Sequence, residues 1–336
     1  MKKTIIVFLT LFLAVSAFAQ PPANYYNAAN GLTGNELKVA LHNIIKGHTS
    51  ISYSNIWNAF WSTDNKGNGI VWDMYSDRPG GTPPYTFQLG MDQCGNYSGE
   101  GDCYNREHSW PQSWFNEQAT PRTDMHHIFA TDGYVNGRRS NYPFGEVKSA
   151  SWTSQNGSKL GSCKTPGYSG TVFEPIDEYK GDFARAFFYM SVRYYSEDSS
   201  WGNSDMTTKS EIKPWAITML LRWNKLDPVS QKEIDRNNAI YDDYQHNRNP
   251  FVDNPEYADM IWDPSWSADE HHGIQQEIKV DRLVVYDLCG RKLMQTNVVN
   301  VEDAVSSVKN ELKQGCYLLQ LLNGNRVVTS RKLLVN

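Results

Sequence analysis

Apolar residues recur at helical spacing in several stretches of the 336-residue chain. Leu37, Leu41, Ile44 and Ile45 follow a Thr33 and Glu36 pair and precede Gly47, which predicts a helix opened by a capping box and stopped by the glycine. Phe183, Phe187, Met190 and Tyr194 follow Asp182 at intervals of three to four, the signature of one buried helix face. Pro214 is placed to open a third helix carrying Ile217, Leu220 and Leu221, and Ser230 with Glu233 forms a second capping box. Between residues 50 and 175 the periodicity gives way to Gly, Asn, Ser and aromatic residues, so short strands and long loops are expected.

The pattern changes again near residues 253–272. Beyond them Leu283 to Tyr286 and Tyr317 to Leu322 are strand-like, and the second run meets Asn323-Gly324-Asn325 before Arg326 to Thr329. Asn-Gly between two strand-like runs is a hairpin signal, because both central positions tolerate positive φ. The expectation is an α+β chain with residues 20–264 as the larger domain, 265–272 as linker and 273–336 as a small antiparallel β module.

At the start, Met1-Lys2-Lys3, an apolar run from Thr4 to Val15 and Ser16-Ala17-Phe18-Ala19 read as a secretory signal cleaved after Ala19. The run is short for a membrane span, and no other approaches ~18 residues, so an exported protein without a transmembrane segment is expected. Five cysteines, Cys94, Cys103, Cys163, Cys289 and Cys316, then face an oxidising compartment. Cys94 and Cys103 flank a polar, Gly-rich loop and are the favoured bridge, whereas the odd count leaves one thiol over.

Charge narrows the partners. The whole chain carries −5, and residues 20–264 carry 21 Lys and Arg against 29 Asp and Glu. Such a body excludes a nucleic-acid coat held by bulk attraction, but permits a local basic cleft, with Arg106, Arg122, Arg138 and Arg139 as candidates.

Two clusters carry reactive side chains. In Asn105 to Phe115, NREHSWPQSWF, the carboxylate of Glu107 stands beside the imidazole of His108, whose ordinary pKa of ~6.5 suits a general base. Asp124 to Glu146 contains His126, His127, Asp132, Asn136, Arg138, Arg139 and Asn141. Carboxylate and amide oxygens suit hard cations, and the arginines can fork onto phosphate.

NREHSWPQSWF, D-x-H-H (Asp124 to His127), GYVNGRRSNYPFG (Gly133 to Gly145), ARAFFYMS (Ala184 to Ser191), W-N-K-x-x-P-V (Trp223 to Val229) and HNRNPFVD (His246 to Asp253) occur in this order. Together they resemble the secreted or periplasmic endonuclease I family, whose fold holds a ββα-metal (His-Me finger) site. The resemblance implies Glu107 and Asn136 as ligands of one divalent cation, Mg²⁺ ahead of Ca²⁺ or Mn²⁺, and His108 as general base. It further implies Arg106 and Asn141 as substrate contacts, Arg139 as either a phosphate contact or a structural ion pair, His126 as a residue orienting the ligands from behind or supporting the fold, and Asn249 as a turn residue that the resemblance raises to the site border. The substrate would be DNA, and RNA as well, met transiently by a monomer. Tyr134 and Arg138 depart from the resemblance, standing where family members commonly show Glu and Asp.

The tail, VDRLVVYDLCGRKL (Val280 to Leu293) and LKQGCYLLQLLNGNRVVTSRKLLV (Leu312 to Val335), resembles a type IX secretion sorting domain, usually a small β-sandwich. That implies passage across the outer membrane on the type IX machinery, with release or attachment at the cell surface. Three rival readings are a glycan-binding or glycan-cleaving protein, suggested by 11 Trp and 19 Tyr, a zinc hydrolase using His126 and His127, and an inactive nuclease-fold surface protein. No H-E-x-x-H occurs, and an intact Glu107, His108 and Asn136 speak against the inactive form.

Overall fold

The structure is a computed structural model that describes residues 21–263, 265, 281–287, 291–298, 301–323 and 326–335. The signal-like segment, the linker beyond Ser265 and Cys289 lie outside these residues. The chain divides between residues 264 and 265 into two compact units.

The first unit opens with helices α1 (Gly34–Ile45) and α2 (Ile56–Thr63). Strands β1 (Tyr104–His108) and β2 (Ile128–Asp132) form a two-stranded antiparallel sheet, and helix α3 (Gly133–Arg139) follows β2 without a loop. A second antiparallel sheet runs β3 (Val147–Thr153), β4 (Lys159–Cys163), β5 (Thr171–Glu174). Helices α4 (Lys180–Arg193), α5 (Pro214–Leu226) and α6 (Gln231–Ala239) complete the larger elements. Mixed helices and small antiparallel sheets make this an α+β fold, and long connections fill the region between residues 50 and 175.

The helical spacing is realised, Pro214 opening α5 and Ser230 capping α6 as expected, with changes in α1 and α4. Thr33 takes the extended N-cap conformation of α1 but makes no side-chain capping bond, so burial of Leu37, Leu41 and Ile45 holds the helix instead. Ser230 does make the reciprocal box, accepting from the Glu233 N–H while Glu233 accepts from the Ser230 N–H. Helix α4 exceeds its expected single face, because all its residues are buried. Its charged Arg185 is paired, forking onto Glu233 with Nη2 2.9 Å from Oε2. Around α4 pack Tyr75, Trp110, Phe144 and Trp223, the core of the unit. Cys94 and Cys103 are bridged, and Cys163 is a buried free thiol.

The second unit is a four-stranded antiparallel sheet in the order β7, β6, β8, β9, from β6 (Arg282–Tyr286), β7 (Lys292–Asn297), β8 (Gly315–Asn323) and β9 (Arg326–Val335). Strands β8 and β9 pair from Asn323 opposite Arg326; the Gly324-Asn325 turn falls outside the described residues. Among the described residues the sheet is covered by a helix, α7 (Val301–Glu311), rather than by a second sheet. The expected β-sandwich is therefore corrected. Val301, Ala304, Val305 and Val308 recur at helical spacing, and Ala304 and Val308 bury against Leu283, Val285, Leu319 and Leu321.

Candidate active site

The site begins at the end of β1. In the β1–β2 ladder Glu107 stands opposite Phe129 and His108 opposite Ile128, and neighbours on a strand point to opposite faces. The strand ends at His108 and the chain turns through Pro111 into the short helix Gln112–Phe115, so both side chains reach one cleft. That cleft, of about 260 Å³, is lined by Arg106, Glu107, His108, Gln112, Asn136 and Asn141 among others. Asn136 arrives on α3, which starts beside the site because the Asp132 side chain caps it, accepting from the Val135 N–H at 2.8 Å. The helix ends at Ser140 with φ 52°, and the turn brings Asn141 to the cleft rim.

Glu107 is buried, and both its hydrogen bonds fall on one oxygen. Tyr75 Oη donates to Oε1 at 2.8 Å and Arg139 Nη1 at 3.1 Å, which leaves Oε2 for the cleft. Burial pushes the carboxyl up to about 7, against the pull of Arg139 and the Tyr75 hydroxyl. Arg139 also donates to the carbonyls of His108, at 3.0 Å, and Ser109. At 1% exposed it lies behind the cleft, and of its two expected roles the geometry favours the ion pair: its guanidinium pairs with Glu107 and is shut away from the open side.

His108 Nε2 lies 3.0 Å from the Arg122 carbonyl. A carbonyl only accepts, so Nε2 carries the hydrogen and Nδ1 keeps its lone pair. Burial, then the neighbouring His127, holds the imidazole down to about 3, so it is neutral at ordinary pH. Tyr53 stacks on His108, with centroids 6.2 Å apart. The guanidiniums of Arg106 and Arg122 lie 3.7 and 4.2 Å from the Tyr53 ring centre. Arg106 lines the cleft, half-buried, with Nη1 donating to the Tyr53 carbonyl at 3.0 Å.

Asn136 Nδ2 donates to the Arg106 carbonyl at 3.4 Å, which orients Oδ1 away from that strand. One carboxylate oxygen and one amide oxygen without other partners in the same polar cleft fit a hard divalent cation. Among the described residues no three His, Cys, Asp or Glu side chains gather into a metal-binding group; a site of one carboxylate and one amide does not need them.

His126 sits elsewhere. Its Nε2 meets the Asn247 carbonyl at 3.2 Å and its ring packs on Tyr189, so it supports the fold and touches neither ligand. His127 lies beside the base instead: its ring is 5.4 Å from His108, and its Nε2 donates to the Pro121 carbonyl at 2.7 Å. The adjacent histidines thus point to different surroundings and share no metal. Asn249 likewise caps the Pro250–Asp253 turn, accepting from the Phe251 N–H, and does not border the cleft. Tyr75, Tyr53 and Gln112 were missed by the sequence reading, and His127 was named in its cluster without a place beside His108. Tyr75 lies 32 residues from Glu107, with no local pattern to flag it.

The Endonuclease I profile matches residues 33–256. The chain belongs to the endonuclease I family. An extracellular ribonuclease of Bacillus amyloliquefaciens is 42% identical over 271 residues, covering 75% of this chain and 84% of that protein. The extracellular ribonuclease of Bacillus subtilis (strain 168) is 39% identical, covering 74% and 83%. Endonuclease-1 of Buchnera aphidicola subsp. Baizongia pistaciae is 30% identical over 39% of this chain and 46% of its own length. As a member of the endonuclease I family the chain is a nuclease, a hydrolase of nucleic acids. The glycan reading is weakened, because Trp72, Trp110, Trp114, Trp201 and Trp223 are buried in the core, although Trp61 remains half exposed. No helix among the described residues is long and apolar enough to cross a membrane.

Proposed function

We propose that this endonuclease I family member is an exported, metal-dependent, sequence-independent endonuclease that cuts DNA and RNA to 5′-phosphate and 3′-hydroxyl ends. One observation carries the reading: in a single cleft, Glu107, Asn136 and His108 each have one polar atom anchored to the fold and another left for a ligand. This supports reading the cleft as a ββα-metal site, with β1 supplying Glu107 and His108 and α3 supplying Asn136. Glu107 Oε2 and Asn136 Oδ1 would hold one cation, Mg²⁺ first, with Ca²⁺ or Mn²⁺ as alternatives. When bound, the cation neutralises charge on the phosphate and the leaving oxygen.

The protein's own part is positional. Neutral His108 takes a proton on Nδ1 from a water in the cleft, and the resulting hydroxide attacks phosphorus opposite the 3′ oxygen. The P–O3′ bond breaks, the 3′ oxygen takes a proton from solvent, and His108 later returns its own. Because water attacks, no 2′-hydroxyl is required, so both sugars are substrates and no cyclic phosphate forms. The relatives named extracellular ribonucleases support RNA as a substrate and export as the destination. The second unit is proposed to act as a type IX sorting module, leaving the nuclease released or attached at the cell surface.

Purified mature chain with plasmid DNA or RNA and Mg²⁺ tests this: cleavage silenced by chelator, with 5′-phosphate ends, is the expected result. Intact nucleic acid, or 2′,3′-cyclic ends on RNA, sinks it. The same assay carries a pH prediction. Glu107 must lose its proton to hold the cation, so apparent Mg²⁺ affinity climbs about tenfold per pH unit below its pKa of about 7 and levels off above it. Titrating activity with Mg²⁺ at several pH values checks the slope; an affinity flat from pH 5.5 to 8, a span around that value, contradicts it.

A further inference from the structure

Helix α3 presents two different sides. Asn136 faces the cleft, and Tyr134 and Arg138, two positions away in each direction, fall on the far side, because residues two apart on a helix lie roughly 200° apart. There Tyr134 meets Trp152 of β3, with ring centres 6.4 Å apart. Arg138 lies over the same indole, 5.3 Å from its centre. Tyr97 closes the row, 6.4 Å from Tyr134 and edge-on to it.

Tyr97 reaches α3 because the helix is bare beneath it. A Cβ on Gly133 would stand 2.7 Å from its Cδ1, and one on Gly137 2.6 Å from its hydroxyl. The ring is still 38% exposed, Arg138 is exposed, and Tyr134 and Trp152 are half-buried. Trp152 touches the core with one side, and Tyr97 and Tyr134 pack into none of the apolar clusters of the described residues. Lys148 and Lys159, both exposed, lie on the strands of the adjoining sheet. Asp102, in the loop that carries Tyr97, turns its carboxylate onto the Ser98 and Gly99 N–H groups.

We infer that this row, Tyr97, Tyr134, Trp152 and Arg138, is a stacking subsite for unpaired nucleotides of the substrate. The inference rests on the nuclease reading and extends it to substrate class. Partly exposed rings with a guanidinium at one end take the faces of bases without regard to sequence, and the cation takes the phosphates between them. A duplex has its base faces already covered by one another, so it gains nothing here. The strip is one helix width from Asn136, ~10–12 Å, within reach of a strand held in the cleft.

The test compares wild type with Tyr134→Ala and Arg138→Asp on three substrates: a single strand on the order of 20 nucleotides, longer than such a groove covers, its duplex, and a trinucleotide confined to the cleft. Both side chains leave the exposed side of α3, and unchanged melting curves confirm folding. Tyr134→Ala is expected to raise KM for the single strand about tenfold with kcat unchanged and to leave the duplex and trinucleotide as they were, whereas Arg138→Asp, whose charge also meets duplex phosphate, raises the single-strand KM more than the duplex KM. An unchanged single-strand KM, or equal losses on single strand and duplex, overturns the subsite while wild-type cleavage upholds the nuclease. A wild-type chain that cuts none of the three overturns the nuclease reading and the subsite with it.

Discussion

His108→Ala lowers kcat for plasmid cleavage by about 10²–10⁴-fold, the range that a positioned general base supplies. The Nε2–H bond to the Arg122 carbonyl selects the tautomer with a free Nδ1, and burial keeps the ring uncharged, so the base is ready without a prior proton loss. Truncation leaves Glu107 and Asn136 in place, so binding of an oligonucleotide under chelating conditions stays at the wild-type value. Truncation also strips the Arg122 carbonyl of its donor, at a cost of about 1–3 kcal/mol, which a melting curve separates from the kinetic loss. A variant that cuts at near wild-type rate removes His108 from the reaction.

Arg139→Ala has the largest expected effect on stability. The Arg139 and Glu107 side chains are 1% and 2% exposed, and removing one member of a buried pair costs about 3–5 kcal/mol because the other charge is left alone. In a unit of this size that lowers the melting temperature by roughly 6–20 °C. The sign for function follows from the same pair. Arg139 pulls the Glu107 carboxyl down against burial, so without it the carboxyl rises further above its ordinary range, and more cation is needed at a given pH. Arg139→Lys, which keeps the charge but not the fork onto the His108 and Ser109 carbonyls, falls between the two. Calorimetry with a Mg²⁺ titration of activity checks both; a melting point matching wild type would show that the pair is dispensable.

The chain announced its reactive dipeptide, its cap at Ser230 and its hairpin partner strands because those signals are local. Glu107, His108 and Asn136 were legible through motif order, and the ladder between β1 and β2 then brought them together. What was not legible is long-range. Arg139 reads in sequence equally as a phosphate contact or an ion pair, and only its place in the last turn of α3 turns it onto Glu107 and the carbonyls of His108 and Ser109. The choice between His126 and His127 depends on which way a short 3-10 turn points each ring, a difference of one residue that no periodicity records. Helix α7 was hidden because its apolar positions are all Val and Ala, residues that strand-like neighbours made easy to read as more strand.

Helix α4 has no exposed residue along its length. A protease needs an extended, accessible segment, and a helix with no outer face offers one only when the whole unit opens. For a nuclease working outside the cell, as proposed here, survival among foreign proteases is then set by the frequency of complete unfolding, while cuts in surface loops leave the central packing in place.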